Sequence, residues 1–165
     1  MEIRKITSDE WQTLKDIRLK MLHDKSIDFD YSSEEIVNLS EADWREKIEG
    51  SEKITLVAFE KNKPIGTVRA FRENMQRKNH VAIIRGLYVC EEFRDKGFGK
   101  SLMISIMDEI KNSAGIVKAR LEVAVVLKNV IMLYESLGFE IVGTLKKELK
   151  SGSVFTDKYI MELFF

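Results

Sequence analysis

The sequence has little cysteine, histidine or proline, and each shortage excludes a class of protein. The single cysteine, Cys90, excludes an internal disulfide and any zinc site built from several cysteines. Only His23 and His80 are present, without the HExxH spacing of zinc hydrolases, so no metal site is predicted. Pro64 is the only proline, and no Ser/Gly-rich run indicates a linker. We therefore expect one domain over residues 1–165.

Long apolar runs and an excess charge are also absent. The longest apolar runs, such as Val123–Leu127, are about five residues, whereas a bilayer-spanning helix needs roughly 20. The first residues, MEIRKITSDEW, lack the apolar stretch of a signal peptide. The 27 basic and 27 acidic residues cancel, unlike the strong basic excess of nucleic-acid binders. We therefore expect a soluble, cytoplasmic protein with neither a membrane nor a nucleic acid as its partner.

Hydrophobic periodicity predicts a mixed α/β (α+β) fold. A period of two predicts strands at residues 2–6, 54–60, 65–71, 81–89, 120–126, 140–149 and 154–164. Helical spacing predicts helices at 11–22, between Ser40 and Gly50, at 97–112 and at 129–137. Because most strands follow one another as hairpins, we expect a mostly antiparallel sheet of about seven strands flanked by four helices. Strands 81–89 and 120–126 flank a helix and would be parallel where they are neighbours.

The segment IRGLYVCEEFRDKGFGKS, residues 84–101, carries the strongest chemical signal. Two glycines, Gly97 and Gly99, lie at a turn from a strand into a helix, where backbone N–H groups and the helix dipole favour an anion such as pyrophosphate. Arg94, Lys96 and Lys100 add positive charge beside them. The dinucleotide pattern GxGxxG fails because residue 102 is leucine, and the P-loop pattern also fails. The alternative to an anion-binding site is an ordinary glycine turn with solvated lysines.

Two segments resemble the GNAT superfamily of N-acetyltransferases. Arg94-x-x-Gly97-x-Gly99 is similar to the family's acyl-CoA pyrophosphate loop, and the segment from Asn129 to Phe139 is similar to its second signature, in which an asparagine, a tyrosine and Gly-Phe recur. The resemblance implies a single N-acetyltransferase domain with a splayed parallel strand pair at the cofactor site. It also implies transfer of an acetyl group from acetyl-CoA to a primary amine, by direct attack in a ternary complex.

The resemblance also assigns residues to acetyl-CoA binding. Free backbone groups around Leu87 and Val89 would pair with the pantetheine amides, like an added strand. The N–H groups of residues 96–100 and the Ser101 hydroxyl would hold the pyrophosphate, and Asn129 would contact the pantetheine arm as well as cap its helix. The implied cofactor-binding residues are Leu87, Tyr88, Val89, Arg94, Asp95, Lys96, Gly97, Phe98, Gly99, Lys100, Ser101, Asn129 and Tyr134.

Two residues, Tyr134 and Glu122, are expected to act in catalysis. Tyr134, a phenol that stays protonated at pH 7, would donate its proton to the departing CoA thiolate, although it could simply pack in the core. The attacking amine must lose a proton, for which Glu122, Glu91, Glu92 or a bound water is a candidate; Glu122 could instead point to solvent. Because direct attack needs no enzyme nucleophile, Cys90 is expected only to pack.

The acceptor is not defined by the sequence. Residues 24–46 have a net charge of −6 and residues 94–120 a net charge of +3. The acidic segment would attract a cationic amine, or it is a solvated loop; Phe29, Tyr31 and Trp44 would line a cleft or pack in the core. A small-molecule amine and a peptide or protein amine both remain possible, as do a monomer and a homodimer. A non-catalytic acyl-CoA-binding sensor or assembly domain, and a purely structural domain, are the alternative functions.

Overall fold

The computed structural model describes residues 2–24 and 36–165. The strands are β1 (Glu2–Lys5), β2 (Lys53–Glu60), β3 (Lys63–Arg72), β4 (Val81–Val89), β5 (Lys118–Ala124), β6 (Glu140–Ser151) and β7 (Val154–Phe164). The helices with both ends in these ranges are α1 (Trp11–His23), α2 (Glu41–Ile48), α3 (Phe98–Lys111) and α4 (Lys128–Ser136). None of the helices in the described ranges is long and apolar enough to cross a membrane.

The seven strands form one sheet in the order β1–β2–β3–β4–β5–β7–β6. Only β4 and β5 are parallel, and all other neighbouring strands are antiparallel. A parallel pair needs a crossover connection, and α3 provides it. The predicted fold class, a mostly antiparallel sheet with one parallel pair, is therefore confirmed.

The parallel pair separates after a short contact. Residues Val81–Ile83 pair with Lys118–Arg120, but β4 continues to Val89 and β5 to Ala124 without further pairing between the two strands. The predicted splay of this pair is thus present. The separation leaves a V-shaped opening in the middle of the sheet, along which β4 has backbone groups that do not pair with β5.

Two apolar cores lie on opposite faces of the sheet. One contains Leu102, Ile106 and Ile110 of α3 together with Ile131 and Tyr134 of α4. The other contains apolar side chains from α1 and α2, packed on Val57 and Phe59 of β2. These two layers cover both faces of the sheet, and the starts of α3 and α4 lie at the mouth of the opening.

The connection from β5 to α4 differs from the prediction. The strand ends at Ala124, two residues earlier than expected, and a turn closes with the Leu127 N–H donating to the Ala124 carbonyl at 3.0 Å. The helix then starts at Lys128 with Leu127 as its N-cap residue. The expectation that Asn129 caps this helix is therefore wrong, because Asn129 already lies within its first turn.

Candidate active site

A cleft of about 1080 Å³ occupies the opening between β4 and β5. Residues 85–89 of β4 line one wall, and Glu122, Val123 and Ala124 of β5 line the other. The turn before α3 and the first residues of α4 close one end of the cleft, which we call the donor half. Side chains of α2, β3 and β7 surround the other end, the acceptor half.

A β-bulge in β4 shapes the wall of this cleft. Thr67 pairs with Tyr88 and Arg69 pairs with Arg85, so two steps along β3 match three steps along β4. The extra residue lies next to Gly86, which has a φ of +66°. A side chain at Gly86 would clash with the guanidinium of Arg18, which packs there. The bulge bends β4 away from β5 and redirects the backbone groups that follow.

The backbone of Val89 faces the cleft. The next residue, Cys90, donates its N–H to the Ile65 carbonyl of β3 at 2.8 Å. Because successive residues of a strand direct their backbone groups to opposite edges, the Val89 N–H points away from β3 and into the opening. The Val89 carbonyl accepts a hydrogen bond from Arg94 Nε at 3.1 Å. The Val89 N–H is thus a hydrogen-bond donor at the middle of the cleft.

The turn before α3 is built from glycine conformations. Gly97 has a φ of +82° and precedes the first residue of α3, Phe98. An added Cβ at Gly97 would meet no atom within 4 Å, so the backbone conformation, and not lack of space, favours glycine there. The first N–H groups of α3 have no partner within the helix and lie at its positive end. This end of the cleft is suited to an anion.

Most of the predicted cofactor-binding residues line the cleft, but not all of them. The residues that do so are Leu87, Tyr88, Val89, Arg94, Asp95, Gly97, Phe98, Gly99, Lys100, Asn129 and Tyr134. Lys96 is directed elsewhere, since its Nζ donates to the Glu92 carbonyl at 2.8 Å. Ser101 is also outside the cleft lining, and its N–H donates to the Gly97 carbonyl at 3.0 Å within the helix.

Arg94 has a position that the motif alone does not reveal. Its guanidinium forms an ion pair with Asp24, at the end of α1, and lies 5.8 Å from the centre of the Tyr88 ring. Together with the bond to Val89, these contacts tie the turn to α1 and to β4. In this structure Arg94 therefore braces the wall of the cleft next to the glycine turn.

The Tyr134 side chain is held in place by the end of α4. Gly138, with a φ of +92°, allows the Phe139 N–H to donate to the Tyr134 carbonyl at 3.1 Å, and the Gly138 N–H to donate to the Glu135 carbonyl at 2.9 Å. These two bonds form a Schellman motif, with Gly138 at the left-handed position that follows the helix. The motif sets the Phe139 ring 6.0 Å from the Tyr134 ring.

The Tyr134 phenol is suited to donate a proton. The residue is only 6 % exposed, yet it lines the cleft. Burial raises the pKa of Tyr134 above its ordinary value, because the phenolate would be poorly solvated. Its hydroxyl forms no hydrogen bond with any residue in the described ranges. Tyr134 thus packs in the core, as one interpretation expected, and it also lines the cleft, while its role as a general acid stays a prediction.

Glu122 is the predicted proton acceptor that lines the cleft. Its Oε2 accepts a hydrogen bond from Lys158 Nζ at 2.8 Å, and Lys158 is only 4 % exposed. Glu122 is thus held in a fixed position on β5 by a buried ammonium group. Glu91 and Glu92, the alternatives on the short helical turn after β4, are exposed and do not contribute to the cleft.

The acceptor half contains cations that the sequence analysis missed. Arg18, Arg69, Arg85 and Lys158 all line the cleft. The one available signal was Gly86, since an isolated glycine inside a strand pattern suggests a bulge or a close approach. Of the aromatic residues considered for this region, Trp44 is buried in the α1–α2 core, whereas Phe29 and Tyr31 fall outside the described residues.

The remaining predicted features of the site are minor. Cys90 is buried at the end of β4, where burial raises the pKa of its thiol, as expected for a packing residue. Within the described ranges, no group of three or more histidine, cysteine or acidic side chains is arranged to hold a metal ion.

Known structures share this fold at low sequence identity. An acetyltransferase of the GNAT family from Streptococcus pneumoniae has a TM-score of 0.86 and 19% identity, with 99% of each chain covered. A ribosomal-protein-alanine N-acetyltransferase from Brucella melitensis has a TM-score of 0.85 and 19% identity over 100% of both chains. A phosphinothricin acetyltransferase from Sinorhizobium meliloti, solved in complex with acetyl-CoA, has a TM-score of 0.83 and 19% identity, covering 99% of this chain and 88% of its own.

Sequence comparison identifies the family. No curated protein sequence matches the chain significantly. Residues 11–139, well over half of the chain, match the acetyltransferase (GNAT) family, and this range includes the glycine turn and Tyr134. Together with the sheet that opens between β4 and β5, this match shows that the chain belongs to the acetyltransferase (GNAT) family.

Proposed function

We propose that this protein transfers an acetyl group from acetyl-CoA to a primary amine, by direct attack in a ternary complex. The observation that carries the proposal is the cleft between the separated parallel strands. It combines an anion-binding helix start, the free backbone edge of β4 and a buried, protonated phenol. Each of these three features matches one part of an acyl-CoA: the pyrophosphate, the pantetheine amides and the leaving sulfur.

The donor half of the cleft fits acetyl-CoA. The N–H groups that begin α3, next to Gly97 and Gly99, would bind the pyrophosphate, and Lys100 would add a positive charge. The edge of β4 at Leu87 and Val89 would pair with the two pantetheine amides as an added strand would. The acetyl-CoA found in the structurally similar phosphinothricin acetyltransferase supports the same use of the fold here.

The chemistry requires three actions from the protein. A thioester supplies an activated acyl group, and an amine of pKa near 10 is only about 0.1% neutral at pH 7. Glu122, directly or through a water, would accept the amine proton. The Val89 N–H would donate a hydrogen bond to the carbonyl oxygen as negative charge develops on it. Tyr134 would donate its proton to the departing sulfur, which its raised pKa allows at any pH up to about 10.

Release of CoA in the presence of amines tests the proposal. The protein is incubated with acetyl-CoA and a panel of small amines and amine-bearing peptides, and free thiol is measured. We expect thiol release above the rate of spontaneous hydrolysis, only when an amine is present, with the acetylated amine detected by mass spectrometry. Tight binding of acetyl-CoA with no release for any amine would instead support the non-catalytic sensor.

A further inference from the structure

A glycine of β3 lies directly against the end of β4 that carries the Val89 N–H. Gly66 is buried and is the cross-strand partner of Val89. Its φ is not positive, but a Cβ added to it would lie 2.8 Å from the Tyr88 carbonyl oxygen and 3.4 Å from Val89 Cγ2. Leu102 Cδ1, at 3.2 Å, is the end of a side chain and can move, whereas the Tyr88 carbonyl moves only with its strand. The close approach of the two backbones therefore favours glycine at this position.

The strand β3 is held in place on both sides of Gly66. The Ile65 carbonyl accepts the Cys90 N–H at 2.8 Å, and the Thr67 hydroxyl donates to the Leu56 carbonyl of β2 at 3.0 Å. Ile65 and Thr67 are fully buried. Because these bonds tie β3 to strands on both sides, β3 cannot move away to make room for a side chain at Gly66.

The end of β4 is less restrained than β3. Pairing between β4 and β5 stops at Ile83, and the last residues of β4 line the cleft on that side. A side chain at Gly66 would therefore displace the Tyr88–Val89 peptide group toward the opening. The Tyr88 oxygen would have to move by about 0.6 Å before its contact with the new Cβ reached an ordinary length.

We propose that Gly66 is a positioning residue for acetyl transfer, because its close contact with β4 sets the place of the Val89 N–H. This inference rests on the proposed function, in which that N–H stabilises the negative charge on the carbonyl oxygen of the acetyl group. Such a donor is effective at about 2.7–3.1 Å from the oxygen of the transition state, so a displacement of about 0.6 Å weakens it. The N–H groups at the start of α3, which would bind the pyrophosphate, do not depend on this contact.

A matched pair of glycine variants tests the proposal. We expect Gly66→Ala to lower kcat about tenfold, since a misplacement of 1 Å can cost about 100-fold. The Kd for acetyl-CoA, measured by calorimetry, should change less than about threefold, whereas general damage to the fold would weaken binding as well. Gly143→Ala is the control and should change neither quantity. Gly143 also lies in a strand next to a register shift, its φ is not positive, and its new Cβ would make an ordinary contact at 3.7 Å.

The amide resonance of Val89 gives a readout that needs no acceptor. Only acetyl-CoA, and not CoA, brings a thioester oxygen to the Val89 N–H. In NMR spectra of the wild type and of Gly143→Ala, we therefore expect the Val89 amide proton to lie further downfield in the acetyl-CoA complex than in the CoA complex. Gly66→Ala should lose at least about half of this difference, because its Val89 N–H is displaced.

A second variant covers the case in which Gly66→Ala does not fold. Leu102→Val removes the Cδ1 atom that the new Cβ would meet, while the overlap with the Tyr88 carbonyl remains. Gly66→Ala combined with Leu102→Val is then compared with Leu102→Val alone. The double variant should lose the shift difference at Val89, and the single variant should keep it.

The outcomes separate this inference from the proposed function. If Gly66→Ala retains either the wild-type kcat or the wild-type shift difference at Val89, the inference is overturned. It is also overturned if the Val89 resonance of the wild type is the same in both complexes. If the wild type binds acetyl-CoA but acetylates no amine, the proposed function fails, and the shift difference alone decides whether Gly66 positions the Val89 N–H.

Discussion

The two halves of the cleft are built from different parts of the chain. The donor half consists mainly of backbone groups: the N–H groups at the start of α3, the glycine turn before it and the free edge of β4. The acceptor half consists of side chains from α2, β3, β4, β5 and β7 that converge across the sheet. Backbone groups depend on chain conformation, whereas side chains can be exchanged without altering the fold. The difference indicates that the fold determines the donor and that individual side chains determine the acceptor.

Replacing Tyr134 should have the largest effect on catalysis and little effect on donor binding. We expect Tyr134→Phe to lower kcat at least about tenfold, because general acid catalysis typically contributes about 100- to 10,000-fold. The Kd for acetyl-CoA should change little, since the ring and its packing against Phe139 remain. Tyr159→Phe, on β7 and partly buried against the same core, is the control.

The pH dependence of the wild type sharpens this prediction. An acid of ordinary tyrosine pKa, near 10, would begin to lose its proton as the pH approaches 10. Burial raises the pKa of Tyr134, so its phenol stays protonated as the pH approaches 10. We therefore expect the pH profile of kcat to show no alkaline decline that arises from Tyr134.

The Tyr134→Phe variant gives the contradicting outcome. If this variant works at the full rate, Tyr134 has no role in the mechanism.

Replacing Glu122 tests whether the acceptor half also supplies the base. Glu122→Gln retains the shape of the side chain and an oxygen for Lys158, but it cannot accept a proton. We expect kcat/KM to fall about tenfold at pH 7 and less at pH 9, where more of the amine is already neutral. Glu92→Gln, exposed outside the cleft, is the matched control. If Glu122→Gln and Glu92→Gln have equal kcat/KM values at pH 7, Glu122 is not the base, and a water held by other groups removes the proton.

Replacing Gly138 should have a smaller effect that reaches the cleft indirectly. An alanine there must adopt the φ of +92°, and its Cβ would lie 3.3 Å from Leu163. We expect Gly138→Ala to lower the free energy of unfolding by about 1–2 kcal/mol and to lower kcat modestly, because the Schellman motif positions Tyr134. Denaturant unfolding measures the first effect. Gly143→Ala on β6, where φ is not positive and the new Cβ would make an ordinary 3.7 Å contact, should be close to neutral.

The donor half could be predicted from the sequence because its determinants are local. Gly97 and Gly138 each adopt a positive φ that is specified within a few residues, and the strand-to-helix order places them. The position of Tyr134 follows from the same short segment. The wrong expectation for Asn129 shows the limit of such reasoning: a tight turn after Ala124 starts α4 earlier than the polar pattern indicates.

The acceptor half could not be predicted because it depends on contacts between distant segments. Arg69 and Arg85 become partners only through the extra residue of the β4 bulge. Lys158 reaches Glu122 only because β7, and not β6, lies next to β5 in the sheet. Neither the register nor the strand order is visible in hydrophobic periodicity. The acidic segment 24–46, expected either to attract a cationic amine or to be a solvated loop, stays a prediction, because residues 25–35 lie outside the described residues.

The central claim is that the glycine turn before α3 binds the acetyl-CoA pyrophosphate, and calorimetric titration tests it most directly. Gly97→Glu places a negative charge where the pyrophosphate would lie. Gly152→Glu is a matched control, because Gly152 also has a positive φ, of +59°, and open space around it, but lies in the β6–β7 turn. We predict micromolar binding by the wild type and by Gly152→Glu, and its loss in Gly97→Glu. Equal binding by Gly97→Glu, or no binding by the folded wild type, would contradict the account.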